Sequence, residues 1–237
     1  MSTRQLIVNA DDFGQSRGIN RGIVHASEDG IVTSASLMVR WPAVAEAAAY
    51  TQDHPKLSVG LHLDLGEWIF RDGSWEILYE VVPQDNPAAV EEEIHRQLEM
   101  FRTLVKREPT HVDSHQHVHR DEPVHSIIVR IARTLGIPCR GYSRIRYCGG
   151  FYGQSPKGDP FHEGISVDAL LNLLTGLPSG ITELGCHPGL AGWGTELTAM
   201  YIHEREQEVI ALCDPRVREM IARENISLCS FREVPGN

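Results

Sequence analysis

Acidic and imidazole side chains recur in this sequence at the points where short apolar segments end. Asp11 and Asp12 follow the apolar segment that begins near residue 5, and His62 lies late in another such segment. His187 follows the apolar segment that ends at Cys186. These residue types can bind a divalent cation or move protons, which are the two operations that a hydrolytic metal site needs. Their spacing therefore predicts one polar site assembled from distant parts of the chain.

The densest group of such residues is the segment 111–119, which reads HVDSHQHVH. In an extended strand, every second residue of this segment would share one face. Burying that many imidazoles without a ligand would leave polar nitrogens unsatisfied. A His-x-His pair can bind a divalent ion, and Asp113 could orient one of the imidazoles. The alternative is an exposed edge strand with a histidine-rich face, which the adjoining predicted helices disfavour.

The Asp11-Asp12 pair has two interpretations. Neighbouring residues on an extended segment point to opposite sides, so one carboxylate can bind a metal ion while the other accepts a proton from a water molecule. Alternatively, the pair forms an Asx turn or caps the following helix. The first interpretation gains its weight from the histidines at equivalent positions elsewhere in the chain.

His62 and His187 also have competing interpretations. His62 lies in the apolar stretch VGLHL, where a lone histidine is usually a hydrogen-bonded core residue, and Gly60 permits close backbone approach. His187 lies in GCHPG, and we expect it to donate a proton or to stabilise negative charge. Its neighbour Cys186 suggests a Cys–His nucleophile. Adjacent strand residues diverge, however, so we expect Cys186 to pack in the core.

Strands and helices alternate along the chain. Short apolar or β-branched runs predict strands over 5–10, 32–40, 57–65, 110–117, 181–186 and 227–234. Apolar spacing predicts helices over 17–29, 43–52, 88–106, 123–135, 167–174 and 204–224, the last interrupted at Asp214-Pro215. The segments 67–87 and 141–163 lack a clear period; the first is predicted to be a loop with possible short elements, and the second to be a loop. Because parallel strands place their carboxyl ends at one rim, the candidate residues should meet there.

Length, composition and net charge exclude several classes of protein. The 237 residues, 41% hydrophobic and 23% charged, suit a single α/β domain over 1–237. The first strand is followed by Asp11-Asp12 rather than a glycine-rich phosphate fingerprint, which favours an open or closed βα barrel over a dinucleotide-binding fold. No apolar stretch approaches 18 residues, so no membrane span is expected. A net charge of −10 argues against general binding to nucleic acid or to anionic membranes.

The cysteines and the N-terminal residues indicate a location. Five cysteines without C-x-x-C spacing suggest neither a disulfide framework nor a structural zinc site. Two aspartates occur before a signal-peptide region could develop, so a reducing cytoplasm is expected.

The ligand types suggest which metal ion could bind. Two histidines and one carboxylate leave coordination positions for water and substrate, which is typical of hydrolytic sites. Imidazole ligands favour Zn²⁺ or a similar transition ion, whereas Mg²⁺ prefers oxygen ligands. Spacing alone leaves this choice open.

The chain resembles the YdjC-like (ChbG-type) carbohydrate deacetylases. The resemblance rests on NADDFG at 9–14, GLH at 60–62, THVDSHQHVH at 110–119 and ELGCHPG at 183–189. It covers nearly the whole chain, from residue 6 to about residue 234. It implies a distorted, TIM-like (β/α) barrel of parallel strands and hydrolysis of an N-acetyl group from an amino sugar such as chitobiose, with release of acetate.

Matched position by position, the resemblance also implies roles for residues. Asp12, His62 and His115 would bind one divalent metal ion, Asp11 would be the general base, and His187 would act on the acid side. The family is commonly described with Mg²⁺, so both Mg²⁺ and Zn²⁺ stay open. The implied partner is an N-acetylated sugar.

The amino-acid sequence leaves several features undecided. Segments 68–87 and 141–163 match no substrate pattern, although Trp68 and Trp193 could stack on sugar faces. Contact of His117 or His119 with the metal is undecided, as is a homodimer. The alternative functions are a barrel-type metal-dependent amidohydrolase or phosphoesterase, and a non-catalytic metal- or glycan-binding protein. A phosphoesterase is disfavoured because the sequence offers neither a strand-end lysine nor a phosphate-binding glycine loop.

Overall fold

In the computed structural model, residues 3–191 and 201–234 are described, and strands alternate with helices through most of this chain. The strands are β1 (Arg4–Phe13), β2 (Ser34–Leu37), β3 (Ser58–Leu63), β4 (Gly66–Arg71), β5 (Ser74–Glu80), β6 (Val112–Ser114), β7 (Arg146–Cys148), β8 (Gly180–Cys186) and β9 (Ile226–Leu228). The helices are α1 (Arg17–Glu28), α2 (Val44–Asp53), α3 (Pro87–Val105), α4 (Val124–Leu135), α5 (Val167–Thr175), α6 (His203–Cys213) and α7 (Pro215–Arg223).

The main sheet is parallel and has the strand order β6-β3-β2-β1-β8-β7. The first residues of β1 also pair with β9, in parallel. Every residue of β2 and β3 is buried, as expected when both faces of a parallel sheet are covered. The sheet curls into a half-barrel with helices. The predicted α/β class, a distorted, TIM-like barrel of parallel strands, is therefore confirmed.

Local sequence signals account for the helix ends. The side chain of Asn86 caps α3 by accepting a hydrogen bond from Ala89 N, and Pro87 occupies the first turn. The helix ends at Lys106, which has left-handed backbone geometry. Its apolar stripe is buried, as predicted: Val90, Ile94, Leu98, Phe101 and Val105. None of the helices in the described ranges is both long and apolar enough to cross a bilayer.

The segment 67–87, predicted to be a loop with possible short elements, holds nearly all of the antiparallel hairpin β4–β5. Its two-residue turn is Asp72-Gly73, with φ of 51° and 87°. This is the geometry that an Asp-Gly pair favours between strands. The apolar period failed here because β5 is largely exposed, so its side chains do not follow the pattern of a half-buried strand. The other predicted loop, 141–163, includes β7.

The strand predicted over 110–117 ends at Ser114. Residues His115–Arg120 instead form a 3₁₀ segment, in which Gln116 and His117 have φ of 48° and 57°. These left-handed residues turn the chain away from the strand direction, so the prediction of one shared face for the alternate residues of 111–119 is wrong. The predicted strand 227–234 likewise ends early, at Leu228.

Candidate metal and catalytic site

Asp11 and Asp12 line the same cavity because the end of β1 is distorted. The pairing of β1 with β2 shifts register between Ala10 and Phe13. Asp12 has a φ of 67°, which is uncommon for a residue other than glycine. Because of this irregularity, both consecutive carboxylates face the same cavity, and the expectation that they point to opposite sides is wrong.

Asp12, His62 and His115 bring three potential ligand atoms together. Asp12 Oδ1 lies 3.3 Å from His62 Nε2 and 3.2 Å from His115 Nδ1. Ligand atoms of all three residues lie within 4.8 Å of one another. Asp12 and His62 are buried, whereas 12% of the His115 side chain is exposed. We refer to these three residues as the triad.

Carboxylates outside the triad face the far side of both imidazoles. His62 Nδ1 is hydrogen-bonded to Asp113 Oδ1 at 2.7 Å. Glu67 Oε2 lies 3.8 Å from His115 Nε2, and neither of these two atoms has a hydrogen-bond partner among the described residues. A carboxylate in this position fixes the tautomer of a metal-binding imidazole and increases its basicity. The sequence suggested this role for Asp113 but not for Glu67.

The carboxylates around the triad stabilise positive charge on its two histidines. Burial lowers the pKa of His62, but the charges of Asp113 and Asp11 and the hydrogen bonds to Asp113 and Asp12 raise it to about 10. Burial also lowers the pKa of His115, but its hydrogen bond to Asp12 and the negative charges of Asp12 and Glu67 raise it to about 9. A divalent cation would supply this positive charge and would use the imidazole lone pairs, so the donor set fits a metal ion.

Two buried arginines hold the consecutive aspartates. Arg140 donates to both carboxylate oxygens of Asp11 at 2.7 Å, and Arg205 donates to Asp12 Oδ2 at 2.7 Å. Burial raises the pKa of Asp11, but the charge of Arg140 and other interactions leave it below its ordinary value. Asp11 is therefore ionised at neutral pH and can accept a proton.

Neither arginine was expected from the sequence, although a signal existed for one of them. Arg140 follows Cys139, which forms a parallel bridge with Val112 at the edge of the sheet. Arg140 therefore occupies a strand-end position, which the regular alternation after α4 could have indicated. Arg205 lies in the first turn of α6, in the charged stretch HEREQE, and such a stretch usually marks a solvated face.

His187 lies beside Asp11 in the same cavity. Its Nε2 is 3.8 Å from Asp11 Oδ2, and its ring contacts those of Tyr152 and Tyr201, with centroids 5.3 and 5.5 Å away. Burial lowers the pKa of His187 to about 4, although the charges of Asp11 and Asp12 oppose this shift. His187 is thus neutral near pH 7, which suits hydrogen-bond donation better than proton delivery from an imidazolium.

The other histidines of 111–119 have separate contacts. His111 stacks on Phe231 with ring centroids 3.7 Å apart, and His119 Nδ1 is hydrogen-bonded to Ser114 Oγ at 2.6 Å. His117 lines the cavity, with Nε2 3.3 Å from the Tyr147 hydroxyl. Within the described ranges, none of these three histidines belongs to a group with metal-binding spacing.

Neither a second group of possible metal ligands nor Cys186 adds to the site. Asp11, His62 and Asp113 also have metal-binding spacing, but Arg140 already pairs with both of those carboxylates. Cys186 is fully buried, as its predicted packing role requires.

The triad opens into a cavity of about 460 Å³, within the size range of small-molecule sites. Aromatic side chains from the hairpin, the 141–163 segment and the residues just before α6 line it: Trp75, Tyr147, Phe151, Tyr152 and Tyr201. Trp68 is not among the lining residues, and its backbone instead exchanges hydrogen bonds with the Gln116 side chain. Trp193 lies outside the described residues.

Comparison with known proteins identifies the family. The model of the family described as YdjC-like protein matches residues 5–223. The chain is 31% identical to a carbohydrate deacetylase of Geobacillus stearothermophilus, over 97% of this chain and 98% of that protein. It is 29% identical to a chitooligosaccharide deacetylase of Serratia marcescens, over 97% and 98% respectively. The chain therefore belongs to the YdjC-like family, as its motifs predicted.

Solved structures show the same fold. A protein of Enterococcus faecalis V583, named for cellobiose-phosphate cleavage, matches with a TM-score of 0.81 and 24% identity, over 99% of this chain and 100% of that chain. A family 4 carbohydrate esterase from Streptomyces lividans, in complex with acetate, matches with a TM-score of 0.57 and 12% identity, over 100% and 98%. At these identities the likeness concerns the fold alone.

Proposed function

We propose that this protein is a metal-dependent hydrolase that removes an acetyl group from an N-acetylated amino sugar or a chitobiose-like oligosaccharide and releases acetate. The observation that carries this proposal is the triad, which lies beside the ionised Asp11 in an aromatic-lined cavity. The carbohydrate deacetylases among the relatives support the reaction class.

Asp12, His62 and His115 would hold a single divalent ion. Such an ion, when bound, polarises an amide carbonyl and makes water more acidic. Asp113 and Glu67 face the outer nitrogens of the two imidazoles and would keep the rings oriented. The ligand types favour Zn²⁺ and the family resemblance favours Mg²⁺, so both ions belong in the test.

Asp11 is the residue that we assign as general base. Arg140 fixes its carboxylate and keeps it ionised, so Asp11 can take a proton from water as the water attacks the acetyl carbonyl. Neutral His187 would donate a hydrogen bond to the negative charge that develops on the carbonyl oxygen. The proton held by Asp11 would then return to the departing nitrogen, directly or through His187 at 3.8 Å.

Mass spectrometry of N-acetylated mono- and oligosaccharides after incubation with protein and Zn²⁺ or Mg²⁺ tests the proposal. We expect one sugar product lighter by one acetyl group, together with free acetate, and no such product in the presence of a chelator. Release of phosphate from a phosphomonoester without acetate release would instead support a phosphoesterase. Tight sugar binding without turnover would support a non-catalytic glycan-binding protein.

A further inference from the structure

The hairpin β4–β5 has an apolar face formed by Trp68, Phe70, Trp75 and Ile77. The strand register pairs Trp68 with Ile77 and Phe70 with Trp75, so the four side chains share this face. The rings of Phe70 and Trp75 are in edge contact, with centroids 5.6 Å apart. Trp75 is 55% exposed, a large exposed fraction for an indole on an ordered strand.

Trp75 connects this hairpin face to the candidate active site, because it lines the same cavity as the triad. Pro156 and Gly158 also line the cavity, and the ammonium group of Lys157 between them lies 5.7 Å from the centre of the Phe70 ring. The hairpin and the 155–158 segment therefore border the cavity together. The triad residues that line the cavity are at most 12% exposed, whereas Trp75 is largely exposed to solvent.

The position of the hairpin relative to the triad is fixed by polar contacts. The backbone N–H of Trp68 donates to Gln116 Oε1 at 2.9 Å, and Gln116 Nε2 donates to the Trp68 carbonyl at 2.8 Å. The Tyr79 hydroxyl donates to Asp64 Oδ1 at 2.9 Å. Because Gln116 directly follows the triad residue His115, Trp75 is held at a set place relative to the triad.

A pyranose ring suits this exposed indole. Its C–H groups form an apolar face that can cover an aromatic ring, while its hydroxyl groups stay in water at the edge of the contact. A sugar whose acetyl group lies at the buried triad leaves Trp75 free to meet a different ring of the same chain. We infer that Trp75 binds a sugar ring outside the one that carries the scissile acetyl group, and that the protein therefore selects oligosaccharides over monosaccharides. This inference rests on the proposed function.

The kinetic test compares N-acetylglucosamine with its β-1,4-linked trimer in the metal-loaded protein. Trp75→Ala should lower kcat/KM for the trimer about tenfold, mainly through KM, and should change the value for the monosaccharide less than about twofold. Trp75→Phe should retain most of the preference for the trimer. Leu78→Ala is the matched control, because Leu78 is exposed on the same strand but does not line the cavity. Equal losses on both sugars, or no loss on either, would overturn the inference.

A binding test separates this inference from the proposed function. Calorimetry of the chelator-treated protein with the trimer measures affinity without turnover, and Trp75→Ala should weaken it about tenfold. If the wild type releases no acetate from any sugar, the proposed function fails, and the affinity for the trimer alone decides the inference about Trp75. That inference would be overturned if the wild type did not bind the trimer, or if Trp75→Ala bound it as tightly as the wild type. The inference would also be overturned if the wild type were a dimer and Trp75→Ala were a monomer with unchanged affinity for the trimer. The hairpin face would then be a contact between two copies of this chain.

Discussion

Asp11 and Asp12 are adjacent in the sequence but have different partners, which separates their roles. Arg140 binds both oxygens of Asp11, whereas Asp12 uses Oδ2 for Arg205 and presents Oδ1 to the two imidazoles. A change at Asp11 should therefore affect proton transfer, and a change at Asp12 should affect metal binding.

Asp11→Asn should retain bound metal and should lower the rate of acetate release by at least about 100-fold, because an amide cannot accept the proton from water. The fold should tolerate this change, since Arg140 keeps Asp113 and Glu183 as partners at 2.6 and 2.7 Å. Elemental analysis and the acetate assay on one preparation measure both properties. Substantial remaining activity would show that Asp11 is not the base.

Glu67→Gln should weaken metal binding about tenfold, because a carboxylate behind His115 makes the imidazole a better ligand. The amide keeps the size of the side chain but removes its charge, 3.8 Å from His115 Nε2. Glu76→Gln, on the exposed strand β5, is the matched control. Calorimetric titration with Zn²⁺ measures the affinities, and equal values for the two variants would exclude the role of Glu67.

At the scale of elements, helix α1 positions the loop that carries His187. A Cβ atom added at Gly22 would lie 2.3 Å from the Cα of Gly189. The loop also contacts α1 through a hydrogen bond from Leu190 N to the Gly18 carbonyl at 2.9 Å. The glycine at position 22 therefore permits the close approach that brings His187 to the cavity.

Gly22→Ala should lower the free energy of unfolding by about 1–3 kcal/mol and should also reduce acetate release, because the loop must move away from α1. Gly176→Ala is the control, since its added Cβ would meet its nearest atoms at 3.6 and 3.7 Å. Urea denaturation of the two variants measures the difference. Equal free energies of unfolding for the two variants would show that the loop can approach α1 even when residue 22 has a side chain.

The sequence predicted elements best where the signals are local. Helix α3 was predicted to within one residue at each end, because a regular apolar stripe defines it. The turn after β6 was missed because Gln116 and His117 adopt left-handed geometry that their residue types do not require. Arg140 was missed because no strand was predicted directly after α4, and Arg205 was missed because a charged helical stretch usually faces solvent.

At the scale of the whole molecule, the half-barrel buries several histidines in neutral form. Burial lowers the pKa of His111 to about 3 from an ordinary value of 6.5. Protonation therefore favours the unfolded chain, so the stability due to neutral His111 is complete above pH 6.5 and is lost as the pH falls toward 3. Glu183 and Glu208 change the stability in the opposite direction as the pH falls, because burial raises their pKa values to about 7 and about 8. The contribution of His111 is therefore measured by comparing the wild type with a variant that lacks this histidine.

His111→Gln should be less stable than the wild type at pH 7, because it loses the stacking contact with Phe231. This difference in the free energy of unfolding should narrow by about 2 kcal/mol between pH 7 and pH 5, since only the wild type has the histidine to protonate. Urea denaturation at a series of pH values measures it. A difference that stays constant with pH would contradict the assigned neutral state of His111.

Titration of chelator-treated protein with Zn²⁺ or Mg²⁺, with metal binding and acetate release followed together, tests the central claim most directly. We expect activity to rise with added ion and to saturate at one ion per chain, while His115→Ala neither binds the ion at this site nor gains activity. Full activity in the chelator-treated protein, or an unchanged metal stoichiometry in His115→Ala, would contradict the claim that Asp12, His62 and His115 hold the catalytic ion.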